Sequence, residues 1–186
     1  MKNNLPKIAI LFSGTGTNMA YILEYLHGKE LEVVLTLTNN PQAKGIEIAE
    51  SYGVPCKIIE PKNYENRESY DDIVTRELQI YQPDLTVLAG FMRILTSVFT
   101  DRIKAINLHP SLLPRHKGLQ AIEKSYEDAF PTGGASVHWV SSELDGGEVI
   151  MQKEVSKESL SFEAYERKIK TIEKIVLAEG IRAALS

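Results

Sequence analysis

The chain has 186 residues, enough to build one sizeable core but short for two domains. Hydrophobic residues make up 43% and charged residues 25%, the balance of an ordinary globular protein and not of a disordered or membrane-embedded one. The formal net charge of −4 comes without any basic block, which argues against a duplex nucleic acid or a membrane surface as partner and leaves room for a small anionic ligand.

The lone cysteine, Cys56, excludes an intrachain disulfide and argues against a thiolate metal site. It is expected to be a small buried group on a strand. No apolar run reaches the ~20 residues of a membrane span. The start, Met1 to Pro6, has neither a long apolar region nor a small-residue cleavage site. The expected location is the cytoplasm.

In chain order, Ile8–Phe12 reads as a strand buried on both faces, followed by a helix over Thr17–Leu26. Val33–Leu37 is a second strand, broken by Asn39-Asn40-Pro41. Ile46, Ala49 and Tyr52 mark a short helix that Gly53 ends, and Cys56–Ile59 is a third strand. Tyr70, Ile73, Val74, Leu78 and Tyr81 recur at three and four residues, the spacing of a helix with one apolar face. Leu85–Ala89 and Ile103–Leu108 give a fourth and a fifth strand.

Strands separated by helices imply right-handed crossovers and a mostly parallel sheet. After His109 the pattern changes. Leu119, Ile122, Tyr126, Ala129 and Phe130 suggest a helix, and Ala135–Val140 and Glu148–Val155 an antiparallel pair added at the sheet edge. Ser161 is placed to cap a last helix that turns Phe162, Tyr165, Ile169, Ile172 and Val176 inward. The expected fold class is α/β, a single-domain Rossmann-like architecture over residues 1–186. Its sheet is mostly parallel, with helices on both faces and an antiparallel C-terminal edge.

Asn107 and His109 stand two residues apart at a strand end, so their side chains share one face. Asp145 follows on a Gly-flanked loop, Glu143-Leu144-Asp145-Gly146-Gly147. An amide, an imidazole and a carboxylate together can stabilise an oxyanion and move protons in acyl-type transfer. No Ser or Cys occupies a nucleophile-elbow context, so direct transfer between two substrates is the more natural chemistry. Taken singly, His109 can equally be a structural histidine and Asp145 a turn residue. His27, His116 and His138 read as a helix end, a basic-loop residue and a strand residue.

Ser13-Gly14-Thr15-Gly16-Thr17-Asn18 joins the first strand to the first helix, where a phosphate finds free N–H groups and a positive dipole end. It lacks the Lys of a Walker loop, and Met19 stands where a dinucleotide fingerprint needs its third glycine. A tight turn and cap is the other reading. Gly90-Phe91-Met92-Arg93-Ile94-Leu95 follows the fourth strand and suits a flat heterocycle, although an ordinary helix entry explains it equally well.

Together these segments resemble the phosphoribosylglycinamide formyltransferases, a folate-dependent formyltransferase family. The resemblance is carried by residues 13–18, Asn66-Arg67-Glu68-Ser69-Tyr70-Asp71, Ala89 to Leu95, Asn107-Leu108-His109-Pro110-Ser111-Leu112-Leu113-Pro114, and Val137-His138-Trp139-Val140 leading to Glu143–Gly147. It runs along essentially the whole chain. Asn-Leu-His-Pro-Ser-Leu-Leu-Pro with the later Leu-Asp-Gly-Gly is its most specific part.

The resemblance implies that a formyl group passes from 10-formyltetrahydrofolate, a co-substrate, to the amine of phosphoribosylglycinamide, with no metal. It implies that Gly16, Thr17 and Asn18 hold the ribonucleotide phosphate and that Glu173 contacts the same substrate. Arg67, Met92, Arg93, Ile94 and Leu95 would contact folate, as would Asn107 and the loop residues Ser141, Ser142, Glu143 and Leu144. Asn107 would also stabilise the oxyanion, His109 act as the acid, and Asp145 raise the pKa of that imidazole.

The family commonly has Ser at Thr17, an acidic residue at Ser142 and Pro at Glu148, and its Leu95–Asn107 connection is slightly longer. Its rivals are formyltransferases acting on aminoacyl-tRNA or nucleotide sugars, and formyltetrahydrofolate hydrolases, which usually carry extra domains for which this chain has no residues. A non-catalytic phosphosugar-binding module would explain the Gly14–Asn18 loop but not the triad. The partners expected are small molecules, with a monomer or homodimer both open.

Overall fold

A computed structural model describes residues 4–186. The strands run in the order β3-β2-β1-β4-β5-β6-β7, with helices around the sheet. The expected α/β class is thereby observed, a parallel sheet with an antiparallel C-terminal edge. Backbone contacts divide the chain into two compact units, one up to Ala105 with Leu185, the other over Ile106–Ala184 with Ser186.

In the first unit β1 (Lys7–Phe12) lies parallel to both β2 (Glu32–Thr38) and β4 (Leu85–Leu88), and β3 (Cys56–Ile58) adds parallel to β2. Ile8 to Phe12 are wholly buried, which is why β1 reads as an unbroken apolar run and not as an alternation. Helix α1 (Thr17–Tyr25) buries Met19, Ile22 and Leu23 and meets α2 (Gly45–Ser51). Helix α3 (Arg67–Tyr81) turns Tyr70, Val74 and Leu78 inward and packs against β2. It starts three residues before its first apolar marker because Asn66 caps it, the side-chain oxygen accepting the Ser69 N–H at 2.8 Å.

Two details of this unit differ from expectation. A four-residue helix, α4 (Ser97–Thr100), lies between β4 and β5 (Ala105–His109). It is too short to show a period. Its turn continues through the N–H groups of Arg102 and Ile103, both donating to the Phe99 carbonyl, so β5 begins at Ala105 and not at Ile103. Cys56 is only half-buried, because β3 is a short edge strand. Burial still pushes its thiol pKa up.

The second unit carries the rest of β5, α5 (Ala121–Glu127), β6 (Thr132–Trp139), β7 (Val149–Ser156) and α6 (Phe162–Leu185). Strand β6 is antiparallel to both β5 and β7, as the change of pattern after His109 implies. The expected helix from Leu119 to Phe130 shrinks to seven residues. Gln120 takes a left-handed backbone at its start and leaves Leu119 76% exposed. At the other end Phe130 precedes Pro131, and the residue before a proline disfavours helix.

Helix α6 docks Tyr165 and Ile169 with Val155 into a cluster completed by Ile122, Tyr126, Leu160 and Ile172. Ser161 caps it as expected, accepting the Ala164 N–H at 3.2 Å. Phe162 and Ile172 are only partly buried. Ser161→Ala is expected to lower stability by about 0.5–2 kcal/mol in urea denaturation, because the cap donor loses its partner while the apolar cluster is untouched. No change would mean that solvent serves that N–H equally well.

Candidate active site

Strand pairing builds the centre of the site. Asn107 lies opposite His138 and His109 opposite Ser136 in the β5–β6 register. Alternation along β5 therefore puts Asn107 and His109 on one face, and alternation along β6 brings His138 beside Asn107. The Asn107 Nδ2 stands 3.1 Å from His138 Nε2 and donates to Asp145 Oδ1 at 3.3 Å. His138 Nδ1 donates to the Trp139 carbonyl at 2.9 Å.

Asp145 sits in the loop after β6, with a left-handed backbone at φ 48°, and is only 9% exposed. The loop can lie against the end of β6 because residue 147 is glycine: a Cβ there would fall 1.7 Å from the Trp139 carbonyl oxygen. Asp145 Oδ2 accepts the Gly118 N–H at 2.8 Å and lies 3.4 Å from His109 Nδ1. Asp145 Oδ1 lies 3.4 Å from His138 Nε2. Burial opposes ionisation of this carboxyl. The His138 and Gly118 hydrogen bonds and the two neighbouring imidazoles outweigh burial, and its pKa falls below the ordinary value.

His109, 5% exposed, is fixed from its other side. Its Nε2–H donates to the backbone carbonyl of His116 at 2.8 Å. Nδ1, facing Asp145 at the longer distance, is the nitrogen left to work. Expected as an unremarkable loop residue, His116 instead ties its Nε2 to Asp128 Oδ2 at 2.6 Å. Lys157 Nζ reaches Asp128 Oδ1 at 2.7 Å. Asp128 is opposed by burial but held down by these two partners and the Phe130 N–H, to about 2.

The loop before α1 forms a second group of candidates, within the first unit. Gly16 has φ 71°, and a Cβ on it would lie 2.8 Å from Gly45 Cα. Any side chain at 16 would therefore push the loop off α2. No side chain caps α1. Thr17 is exposed, and the Asn18 Oδ1 is buried without a hydrogen-bond partner. Ser13 Oγ donates to Asn39 Oδ1 at 2.6 Å and accepts the Met92 N–H at 2.8 Å, tying together the ends of three strands.

The remaining candidates separate by exposure. Met92 is 69% exposed and Ile94 is open, whereas Leu95 is buried and Arg93 lies over the Tyr70 ring at 4.4 Å. Arg67 donates to the Ile94 carbonyl at 2.7 Å, so it shapes that loop. In the second unit Ser141 accepts the Glu143 N–H at 3.3 Å, Ser142 and Leu144 are exposed, and Glu143 pairs with Lys117 at 2.8 Å. Glu173 lies part-buried on α6. The structure thus brings Asn107, His109 and Asp145 together, and adds His138, His116 and Asp128. No group of His, Cys, Asp and Glu among the described residues has the arrangement of a metal site, and no helix there is long and apolar enough to cross a membrane.

A family model described as "Formyl transferase" matches residues 6–181. The chain is 37% identical over 155 residues to "Phosphoribosylglycinamide formyltransferase" of Haemophilus influenzae, covering 81% of this chain and 73% of that one. It is 37% identical over 159 residues to "Trifunctional purine biosynthetic protein adenosine-3" of Gallus gallus, with 83% of this chain matching only 16% of that larger protein. The crystal structure of phosphoribosylglycinamide formyltransferase from Campylobacter jejuni superposes with a TM-score of 0.95 at 50% identity, covering 98% of each chain.

Asp128 and Asp145 both hold their protons less tightly folded than unfolded, so their stabilisation is complete above the ordinary carboxyl range and is lost as pH falls. Asp128→Asn is expected to lower the urea midpoint clearly at pH 6 and little at pH 2, where the wild-type charge is itself being lost. An equal loss at both values would assign the effect to shape instead.

Proposed function

The chain belongs to the formyl transferase family, and from that premise we infer that it is a phosphoribosylglycinamide formyltransferase of purine biosynthesis. The formyl donor is 10-formyltetrahydrofolate and the acceptor is the amine of phosphoribosylglycinamide. The observation that supports this reading most is Asp145, a buried carboxylate shared by an amide and two imidazoles on adjacent strands.

The amine attacks in its neutral form. Its lone pair forms the new C–N bond, and the carbonyl π pair moves onto the formyl oxygen. Asn107 Nδ2, held only at 3.1 and 3.3 Å by its present partners, turns one N–H to that oxyanion. His109, protonated at Nδ1, supplies the second donor. Collapse of the tetrahedral intermediate breaks the bond to the folate nitrogen, which takes a proton as the amine loses one. Asp145 keeps the imidazole oriented and balances its charge through both steps.

Gly16, Thr17 and Asn18 take the phosphate through backbone N–H groups at the start of α1, and Glu173 serves the same substrate. In the first unit Arg67 and Met92 to Leu95 are the folate contacts, Met92 and Ile94 by exposure and Arg67 beside the Ile94 carbonyl, and in the second unit they are Asn107 and Ser141 to Leu144. Residues 1–186 act as a single formyltransferase domain, in the cytoplasm, with no metal.

Incubation with 10-formyltetrahydrofolate, with and without phosphoribosylglycinamide, tests the reading. Folate release that requires the ribonucleotide supports it, and release in its absence would mark a hydrolase. Asn107→Ala is expected to lower kcat by about 10²–10³. Gly16→Val is expected to raise KM for phosphoribosylglycinamide and leave KM for folate nearly unchanged. The reverse pattern would mean that the two substrates have been assigned to the wrong loops.

A further inference from the structure

His116 is a residue the reaction does not itself require, yet three observations place it in charge of His109. Its backbone carbonyl is the acceptor for His109 Nε2–H at 2.8 Å. Two residues on, the Gly118 N–H reaches Asp145 Oδ2 at 2.8 Å. The segment between them therefore touches both the imidazole and the carboxylate. His116 also has φ 53°, a left-handed backbone that a non-glycine residue adopts only when something holds it there.

Its side chain is held by Asp128. His116 Nε2 meets Asp128 Oδ2 at 2.6 Å, and both side chains are largely buried. Asp128 is in turn fixed from behind. Lys157 Nζ donates to Asp128 Oδ1 and to the carbonyls of Ser125 and Asp128, so it also closes the C-terminal end of α5. Arg115 Nη1 stands 3.7 Å from the same carboxylate and its guanidinium lies over Phe130. The charged groups around His116 are thus Asp128, Lys157 and Arg115.

We infer that the His116–Asp128 pair is a positioning device for His109: anchored through Asp128 to Lys157, it fixes the carbonyl that selects the His109 tautomer and aims Nδ1 at the reacting oxygen. Hydrogen bonding at one ring nitrogen sets which nitrogen is free to act. The inference rests on the assignment of His109 as the acid. His116 and Asp128 are positioning residues that touch neither substrate.

Two variants separate positioning from mere packing. His116→Phe fills the space but cannot donate to Asp128, which keeps Lys157 and Arg115. His116→Gln places an amide N–H near the position of Nε2. The Phe variant is expected to lose roughly 10- to 100-fold in kcat, the scale of a small misplacement of a reacting group, with both KM values within about twofold. The Gln variant is expected to recover most of that loss.

Nitrogen-15 histidine spectra give a readout independent of turnover. In the wild type and the Gln variant, His109 Nε2 should carry the hydrogen-bonded proton. In the Phe variant its two nitrogens should report a mixture of tautomers. Unchanged kcat and unchanged His109 signals in the Phe variant would overturn the inference. So would a rise in both KM values that the Gln variant does not reverse. Should the His109 signals respond as stated while the wild type transfers no formyl group, the positioning role stands and the assigned reaction falls.

Discussion

One buried carboxylate organises the second half of this protein. A carboxylate removed from water is costly unless donors replace the lost solvation. Asp145 gathers two, the Gly118 N–H and the Asn107 amide, and lies 3.4 Å from the imidazoles of His109 and His138. These come from β5, from β6 and from the loop before α5. Satisfying one charge therefore decides which segments must meet, and the groups that satisfy it are the groups that can act on a carbonyl. The contacts that stabilise the fold here also hold these groups in place before any ligand arrives.

The loop before α1 is built on the opposite principle. It uses neutral donors and open backbone instead of charge. Gly16 allows the loop to rest on Gly45, and Ser13 cross-links Asn39 to Met92. An anion bound there would be held by a helix dipole and N–H groups, which do not titrate. A reaction that depends on proton movement benefits from keeping its binding contacts indifferent to protonation.

Much of the fold was legible in sequence because its signals are local. The unbroken run of β1, the three-and-four spacing of α3 and the Ser161 cap each express one element's own chemistry. Asn107 and His109 were legible for the same reason, since alternation along a single strand joins them. His138 was not. It reads as a strand residue until the β5–β6 register sets it opposite Asn107, and register is a property of two strands. His116 and Asp128 lie twelve residues apart across α5, with no motif to link them. Helix α4 is too brief to carry a period, and the Leu119–Phe130 pattern misled because Pro131 and the left-handed Gln120 trim both ends.

The strand order leaves β3 and β7 as the outer members of the sheet. An outer strand offers unpaired N–H and C=O groups to any other strand it meets, and long flat apolar edges invite aggregation. Strand β3 limits that exposure by length: it has three residues, and its middle one is Lys57. Strand β7 is longer and relies on charge, with Lys153 and Glu154 along it and Lys153 paired to Glu179 at 3.1 Å. The two margins thus resist unwanted strand addition in different ways. Removing the charges from β7 would expose the longer template, whereas β3 has too little ladder to offer even if its lysine were lost.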